Sequence, residues 1–224
     1  TAICRRNCGA ALLKNPALAT AIVAAVRKAI NCPLTVKFRT GWKDDPELAV
    51  QLAQRFEDAG ADALTFHPRV APDRRSRPPK WAYIGLVKQA VSIPVFGNGD
   101  IFDRNGCVRM LEETGCDGIA LGRMAVARPW IFAEFLGSLQ TSPEIFPQAA
   151  IQLIKLLEIH YDPIRATKRF RRFAFYFCAN FRFGHALYTR ILNAADMSQI
   201  EAIIRRFFEQ SPEIQSRPNM NFFS

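Results

Sequence analysis

Between Asn15 and about Pro129, apolar positions alternate between two periods. ALATAIVAAVRKAI (17–30), PELAVQLAQRFEDAG (46–60), WAYIGLVKQA (81–90) and DRNGCVRMLEETG (103–115) repeat every three to four residues and predict helices. Between them, LTVKFRT (34–40), ALTFHPR (63–69), SIPVFGNGDI (92–101) and CDGIALGRM (116–124) are short runs rich in β-branched and aromatic residues, and predict strands. Strands separated by single helices make a parallel sheet, buried on both faces. Lys37, His67, Asn98 and Gly122, near the ends of the four strands, lie 30, 31 and 24 residues apart, the pitch of βα units.

Beyond Pro129 the strand period disappears. WIFAEFLGSL, FPQAAIQLIKLLEIHY, a long stretch from about Ile164 to Phe183, and MSQIEAIIRRFFEQ all follow the helical period. The polar, proline-containing end SPEIQSRPNMNFFS is expected to be disordered. The organisation expected is a βα domain over 1–140, a helical domain over 141–210 and a disordered tail over 211–224.

The four strands end in K-F-R, F-H-P-R, G-N-G-D and L-G-R. In a (β/α)8 TIM barrel the chemistry sits at the carboxyl ends of the strands, with phosphate held by the loops after strands seven and eight. The glycine-bearing ends here are the last two, which makes the strands five to eight. A whole barrel takes about 250 residues, more than the βα region holds. The expected fold is therefore α/β: the C-terminal half (strands 5–8) of a (β/α)8 TIM barrel followed by an all-helical domain. A four-stranded open sheet of flavodoxin-like type is the structural alternative.

Charge adds a partner. The chain of 224 residues has a formal net charge of +10 and is 49% hydrophobic, which suits a globular core and a polyanionic partner. From Arg165 to Arg190 there are six Arg and one Lys without an acidic residue. One sign over such a stretch suits contacts to a phosphate backbone, and Arg165, Lys168, Arg169, Arg171 and Arg172 are the candidate contacts there. The interleaved Phe170, Phe173, Phe175, Tyr176, Phe177, Phe181 and Phe183 read mostly as core. A second basic cluster, RVAPDRRSRPPK (69–80), supplies Arg69, Arg74 and Arg75. No apolar run is long enough for a membrane span, and the six cysteines form no C-x-x-C pair or metal-ligand spacing. Such thiols fit a reduced, cytoplasmic protein.

Lys37 lies inside the apolar run LTVKF, where a lysine is costly unless paired, so an anionic ligand is favoured over a snorkelling side chain. His67 reads equally as a structural hydrogen-bonding residue or a ligand contact. GNGD followed one βα unit later by LGR suits a mononucleotide phosphate, as in a flavin, because neither matches a dinucleotide or triphosphate loop.

These stretches resemble the bacterial tRNA-dihydrouridine synthases: CGAALLKNP (8–16), VKFRTGW (36–42), FHPR (66–69), IPVFGNGDI (93–101) and GIALGRMAVARPWIF (118–132), with a basic helical C-terminal part. The resemblance covers roughly residues 3 to 210. It implies an FMN enzyme that reduces uridine in tRNA to dihydrouridine at the expense of NADPH, cytoplasmic and monomeric when full length, without metal. It places Lys37 along the flavin's pyrimidine edge, His67 against flavin or uracil, and Asn98, Gly99, Asp100, Gly122 and Arg123 on the ribityl-phosphate.

Two departures stand out. The family's HGRTRxQxYxGxADW loop is here HPRVAPDRRSRPPKW, which keeps His67, Arg69 and Trp81. The family's N-x-G-C-P motif, which carries the proton-donating cysteine, is missing, and the resemblance puts that cysteine a few residues upstream of Thr1. Cys4 and Cys8 align with packing positions. The chain by itself is therefore expected to lack a catalytic residue, to be inactive and to bind FMN weakly, yet to bind tRNA. The competing readings are another FMN- or phosphate-binding barrel, of dihydroorotate-dehydrogenase-like type, and an RNA-binding module alone.

Overall fold

The computed structural model describes residues 8–71, 73 and 77–219. The chain forms two compact units that divide between Leu121 and Gly122. The first contains a 3-10 turn (Gly9–Lys14), α1 (Pro16–Ala29), β1 (Thr35–Gly41), α2 (Pro46–Asp58), β2 (Ala63–Val70), α3 (Ala82–Ala90), β3 (Val95–Asn98), α4 (Arg104–Thr114) and β4 (Gly118–Ala120). Helices start where the sequence offers an acceptor for orphan N–H groups. Asn15 caps α1 through Leu18 N, Asp45 caps α2 through Glu47 N and Leu48 N, and Asp103 caps α4 through Gly106 N. Proline follows the cap in α1 and α2, where its missing N–H costs nothing. Gly115 ends α4 in the left-handed conformation at φ 64°.

The four strands are parallel, in the order β1-β2-β3-β4. That order is sequential, unlike the flavodoxin-like order in which the first strand lies inside the sheet. Pairing sets Lys37 opposite Thr65, Thr65 opposite Phe96, and Asn98 opposite Ala120. Side chains alternate along each strand, so the sheet has two distinct faces. One carries Phe38, Leu64, Phe66, Val95 and Gly97, all buried, with Leu52, Phe56, Ile84, Val87 and Met110 of the helices also buried in this unit. Phe38 stacks on Phe66 with ring centroids 4.7 Å apart and meets Phe56 edge-on at 5.5 Å. The other face carries Thr35, Lys37, Arg39, Thr65, His67, Phe96 and Asn98, all exposed or half-buried. β4 is shorter than the expected strand over 116–124, because Gly122 caps a helix that begins at Arg123.

The second unit contains α5 (Arg123–Ala127), α6 (Ile131–Phe135), α7 (Ile145–His160), α8 (Pro163–Phe177), a 3-10 turn (Cys178–Asn180), α9 (Gly184–Asn193) and α10 (Met197–Glu209). Its core joins Trp130, Phe146, Ile154, Phe170, Phe177, Phe181, Leu187, Ile191, Ile200 and Ile204. Three outcomes differ from the expected boundaries. The unit begins at Gly122 instead of 141, since Trp130 packs into the helical core. The helix expected over 164–183 stops at Phe177. Asn180 donates to the Phe177 and Ala127 carbonyls, both at 2.9 Å, and satisfies the backbone where the helix breaks. Finally, residues 213–219 are held in place: Phe181 bridges Ile214, Gln215 N donates to Asn180 O and Asn219 N to Ala179 O. No helix among the described residues is long and apolar enough to cross a membrane.

The packing of this unit turns on a buried cation. Arg128, 6% exposed, donates Nε to Asn180 Oδ1 at 2.7 Å and Nη2 to the Gln215 and Ser216 carbonyls at 2.7 and 3.3 Å. Burial holds its pKa below the ordinary arginine range, opposed by the charge of Glu134. Asn180 serves three partners at once. Asn180→Ala would strip an acceptor from a buried guanidinium and donors from two carbonyls, and is expected to destabilise the chain by roughly 3 kcal/mol. Chemical denaturation followed by tryptophan fluorescence checks this; a change below about 1 kcal/mol contradicts the role given to Asn180.

Candidate functional site

The exposed face of the sheet concentrates chemistry near the carboxyl ends of its strands. Lys37 of β1 donates its ammonium to Asn98 Oδ1 of β3 at 2.7 Å. Asn98 Nδ2 in turn donates to the Ala120 carbonyl of β4 at 2.6 Å, so the amide cannot turn over without losing both bonds. By surface area Lys37 is exposed, yet enough protein surrounds the ammonium to depress its pKa, chiefly by desolvation and secondarily through the cation of Arg39. The amine is thus reachable, oriented and cheaper to deprotonate than a free lysine.

The loop after β3 adds a close approach of backbone to ring. Gly99 has φ 137°, and a Cβ there would lie 2.9 Å from two Pro79 carbons and 3.1 Å from His67 Cδ2. Only glycine fits such a position without displacing its neighbours. Trp81 Nε1 donates to the Gly99 carbonyl at 3.0 Å, while the Arg109 guanidinium lies 4.9 Å from the Trp81 ring. Asp100, at φ 50°, accepts from Arg69 Nη2 at 2.8 Å.

Neighbouring loops on this rim are tied together. Trp42 Nε1 donates to Ala10 O at 2.8 Å, with Lys14 over the Trp42 ring at 3.9 Å. Asp44, after β1, pairs with Lys80 and accepts from the Tyr83 hydroxyl at 3.1 Å, both after β2. Arg69–Asp100 and Trp81–Gly99 continue the series to β3, and Asn98–Ala120 reaches β4.

In the second unit, α8 presents Arg165, Lys168, Arg169 and Arg172 on one side at the i, i+3, i+4, i+7 spacing, none of them in the buried core. The opposite side, with Ala166, Phe170, Ala174 and Phe177, is buried. Arg165 pairs with the capping Asp162 at 3.2 Å, and Arg169 stacks on Tyr161 at 4.2 Å.

These placements sort the expected site residues. His67, Asn98, Gly99 and Asp100 lie toward the carboxyl end of the sheet, and the ammonium of Lys37 reaches them from the middle of β1 through Asn98. Gly122 and Arg123 belong to the second unit, where a Cβ at Gly122 would meet nothing within 4 Å. Of the expected RNA contacts, Arg69 is buried and Arg171 is half-buried. Arg69 is 6% exposed and bonded to Asp100, and Arg171 gives Nη2 to Ala194 O at 2.7 Å. Arg74, Arg75 and Cys4 lie outside the described residues. Among the described thiols, Cys116 and Cys178 are buried, and burial with the nearby Asp103 pushes Cys107 up to about 11. No cluster of three or more metal-ligating side chains occurs among the described residues.

The sequence profile described as Dihydrouridine synthase (Dus) matches residues 1–204. The chain belongs to the dihydrouridine synthase family. It is 35% identical over 216 residues to tRNA-dihydrouridine synthase B of Pseudomonas putida, covering 93% of this chain and 64% of that protein. To the Pseudomonas aeruginosa protein of the same name it is 39% identical over 163 residues, 70% of this chain and 49% of that one. The chain thus spans about half to two thirds of the length of these dihydrouridine synthases.

Reading residues singly misses Trp42, Asp44, Tyr83 and Arg109 at this rim, because each acts on a residue distant in sequence. The tryptophan of the retained FHPR…W pattern is the one visible signal. For Lys37 the shift has a direction that can be measured. A depressed folded pKa means the unfolded chain binds more protons between that value and the ordinary lysine range, so stability rises with pH through this window. Relative to Lys37→Met, the parent is expected to gain stability as pH rises through it, read by urea unfolding at several alkaline pH values. Parallel curves for the two proteins would contradict the shift.

Proposed function

We propose that the protein is a tRNA-dihydrouridine synthase, reducing uridine in tRNA to 5,6-dihydrouridine with FMN as cofactor and NADPH as reductant. In this reading the chain supplies strands five to eight of a (β/α)8 barrel together with RNA-binding helices. The observation that carries it is the Lys37–Asn98 pair on the polar sheet face of a family member. A sequential parallel sheet, with one face buried under helices and the other polar, is what an arc of such a barrel requires.

The residues fit a flavin. The exposed, oriented cation of Lys37 suits an electron-rich ring edge, and Asn98 keeps it aimed. The missing Cβ at Gly99 lets backbone come close to a ligand. When bound, FMN supplies the hydride that C6 of the uracil receives. His67 lies against Gly99, and the Arg69–Asp100 pair ties β2 to the loop after β3. The buried thiols Cys116 and Cys178 are not assigned the proton delivered to C5. The basic stripe on α8 takes the tRNA backbone, and its ion pairing offsets the cost of unstacking the target base.

Two measurements test this. The full-length protein, incubated with NADPH, FMN and unmodified tRNA, is expected to yield tRNA about two mass units heavier per modified uridine, and no mass gain under any condition overturns the enzyme reading. Binding of tRNA is expected to fall linearly in log affinity with log salt. Replacing Arg165, Lys168, Arg169 and Arg172 together with Ala should flatten that slope by about one for each phosphate no longer neutralised. An unchanged slope removes α8 from the interface.

A further inference from the structure

We infer that Phe183 is a stacking platform for an unpaired nucleobase of the bound RNA, an inference that rests on the tRNA reading above. Among the aromatics between residues 170 and 183, those in the core are fully covered: Phe170, Phe177 and Phe181 are 0% exposed. Phe183 is 66% exposed, although it follows the buried Phe181 by only two residues. Its backbone explains the difference. Phe183 has φ 57° and ψ 19°, the left-handed region that a bulky residue rarely occupies and that glycine or asparagine adopts at little cost.

The surroundings hold that conformation. Gly184 N donates to Phe181 O at 3.1 Å and Ala186 N to Phe183 O at 2.9 Å, while Arg182 N is tied to Glu213 O at 3.0 Å. The ring is therefore presented outward from a fixed turn, with the Arg182 guanidinium 5.3 Å from its centroid and the His185 ring edge-on at 6.4 Å. A strained backbone that exposes a large apolar ring serves neither packing nor turn formation, where glycine would do better. Such a local conflict points to a ligand. The ligand's class follows from the ring and its neighbours. The chain carries a net +10, and the 26 residues from Arg165 to Arg190, which include Phe183, contain no acidic side chain. The nearest cation, Arg182, is paired with Glu213 at 2.8 Å, so the local charge is balanced and the exposed ring itself, flanked by a guanidinium and an imidazole, is what suits a stacked base.

The test separates stacking from charge and from folding. Affinities of the full chain are measured by fluorescence anisotropy for a stem–loop RNA and for a blunt duplex of equal length, with Phe183→Gly, Phe183→Trp and Arg172→Ala as variants. Phe183→Gly is expected to weaken stem–loop binding roughly tenfold, to leave duplex binding and the salt slope unchanged, and to raise the thermal midpoint by relieving the backbone. Phe183→Trp keeps stem–loop affinity. A merely structural phenylalanine would not give lower affinity together with higher stability. If Phe183→Gly binds the stem–loop like the parent while Arg172→Ala weakens it, the inference falls and the RNA reading stands. If the parent binds neither RNA, both fall.

Discussion

A lysine in the middle of a parallel strand has to be satisfied there, and much of the first unit follows from how Asn98 does it. The carboxamide accepts from Lys37 and donates to Ala120, so one side chain links β1 to β4 across the exposed face. Exchanging its oxygen and nitrogen would set donor against donor and acceptor against acceptor. Aspartate could keep the ammonium but would repel the carbonyl, and leucine would leave both unpaired. The register that places Asn98 beside Ala120 also puts Phe96 and Thr65 level with Lys37, which settles which residues share its face.

The order of helices and strands in this unit was legible from the hydrophobic period alone, and the structure adds the caps Asn15, Asp45 and Gly115 at helix ends. Strand ends were less legible, since Gly122 and Arg123 continue an apolar run in sequence while their backbone turns into a helix. Lys37 could be picked out by its cost alone. Its partner could not, because Asn98 lies two βα units away and reads locally as part of a glycine turn. Arg69 illustrates the opposite failure: an arginine in a basic cluster reads as surface, but the carboxylate of Asp100 lets it be buried.

In the second unit the helical period was plain, and its interruption was not. Nothing in FYFCANFRFG is a strong helix breaker before Gly184, and the stop at Phe177 comes from Asn180, whose amide competes for backbone carbonyls. The same stretch shows the limit of pattern reading for aromatics. Spacing grouped Phe183 with Phe177 and Phe181, and a left-handed backbone separates it from them.

The guanidinium of Arg128 reaches carbonyls at Gln215 and Ser216, so the last described stretch of chain is a structural ligand of a residue near the start of its unit. Folding of this unit therefore cannot be completed from its N-terminal end inward. Until the chain is made as far as Ser216, Arg128 has the Asn180 acceptor but lacks the two carbonyls that take its Nη2. A chain that ended before Gln215 would leave the Arg128 Nη2 without these two acceptors. Full pairing of Arg128 is thus tied to synthesis of a segment whose composition alone would mark it as dispensable.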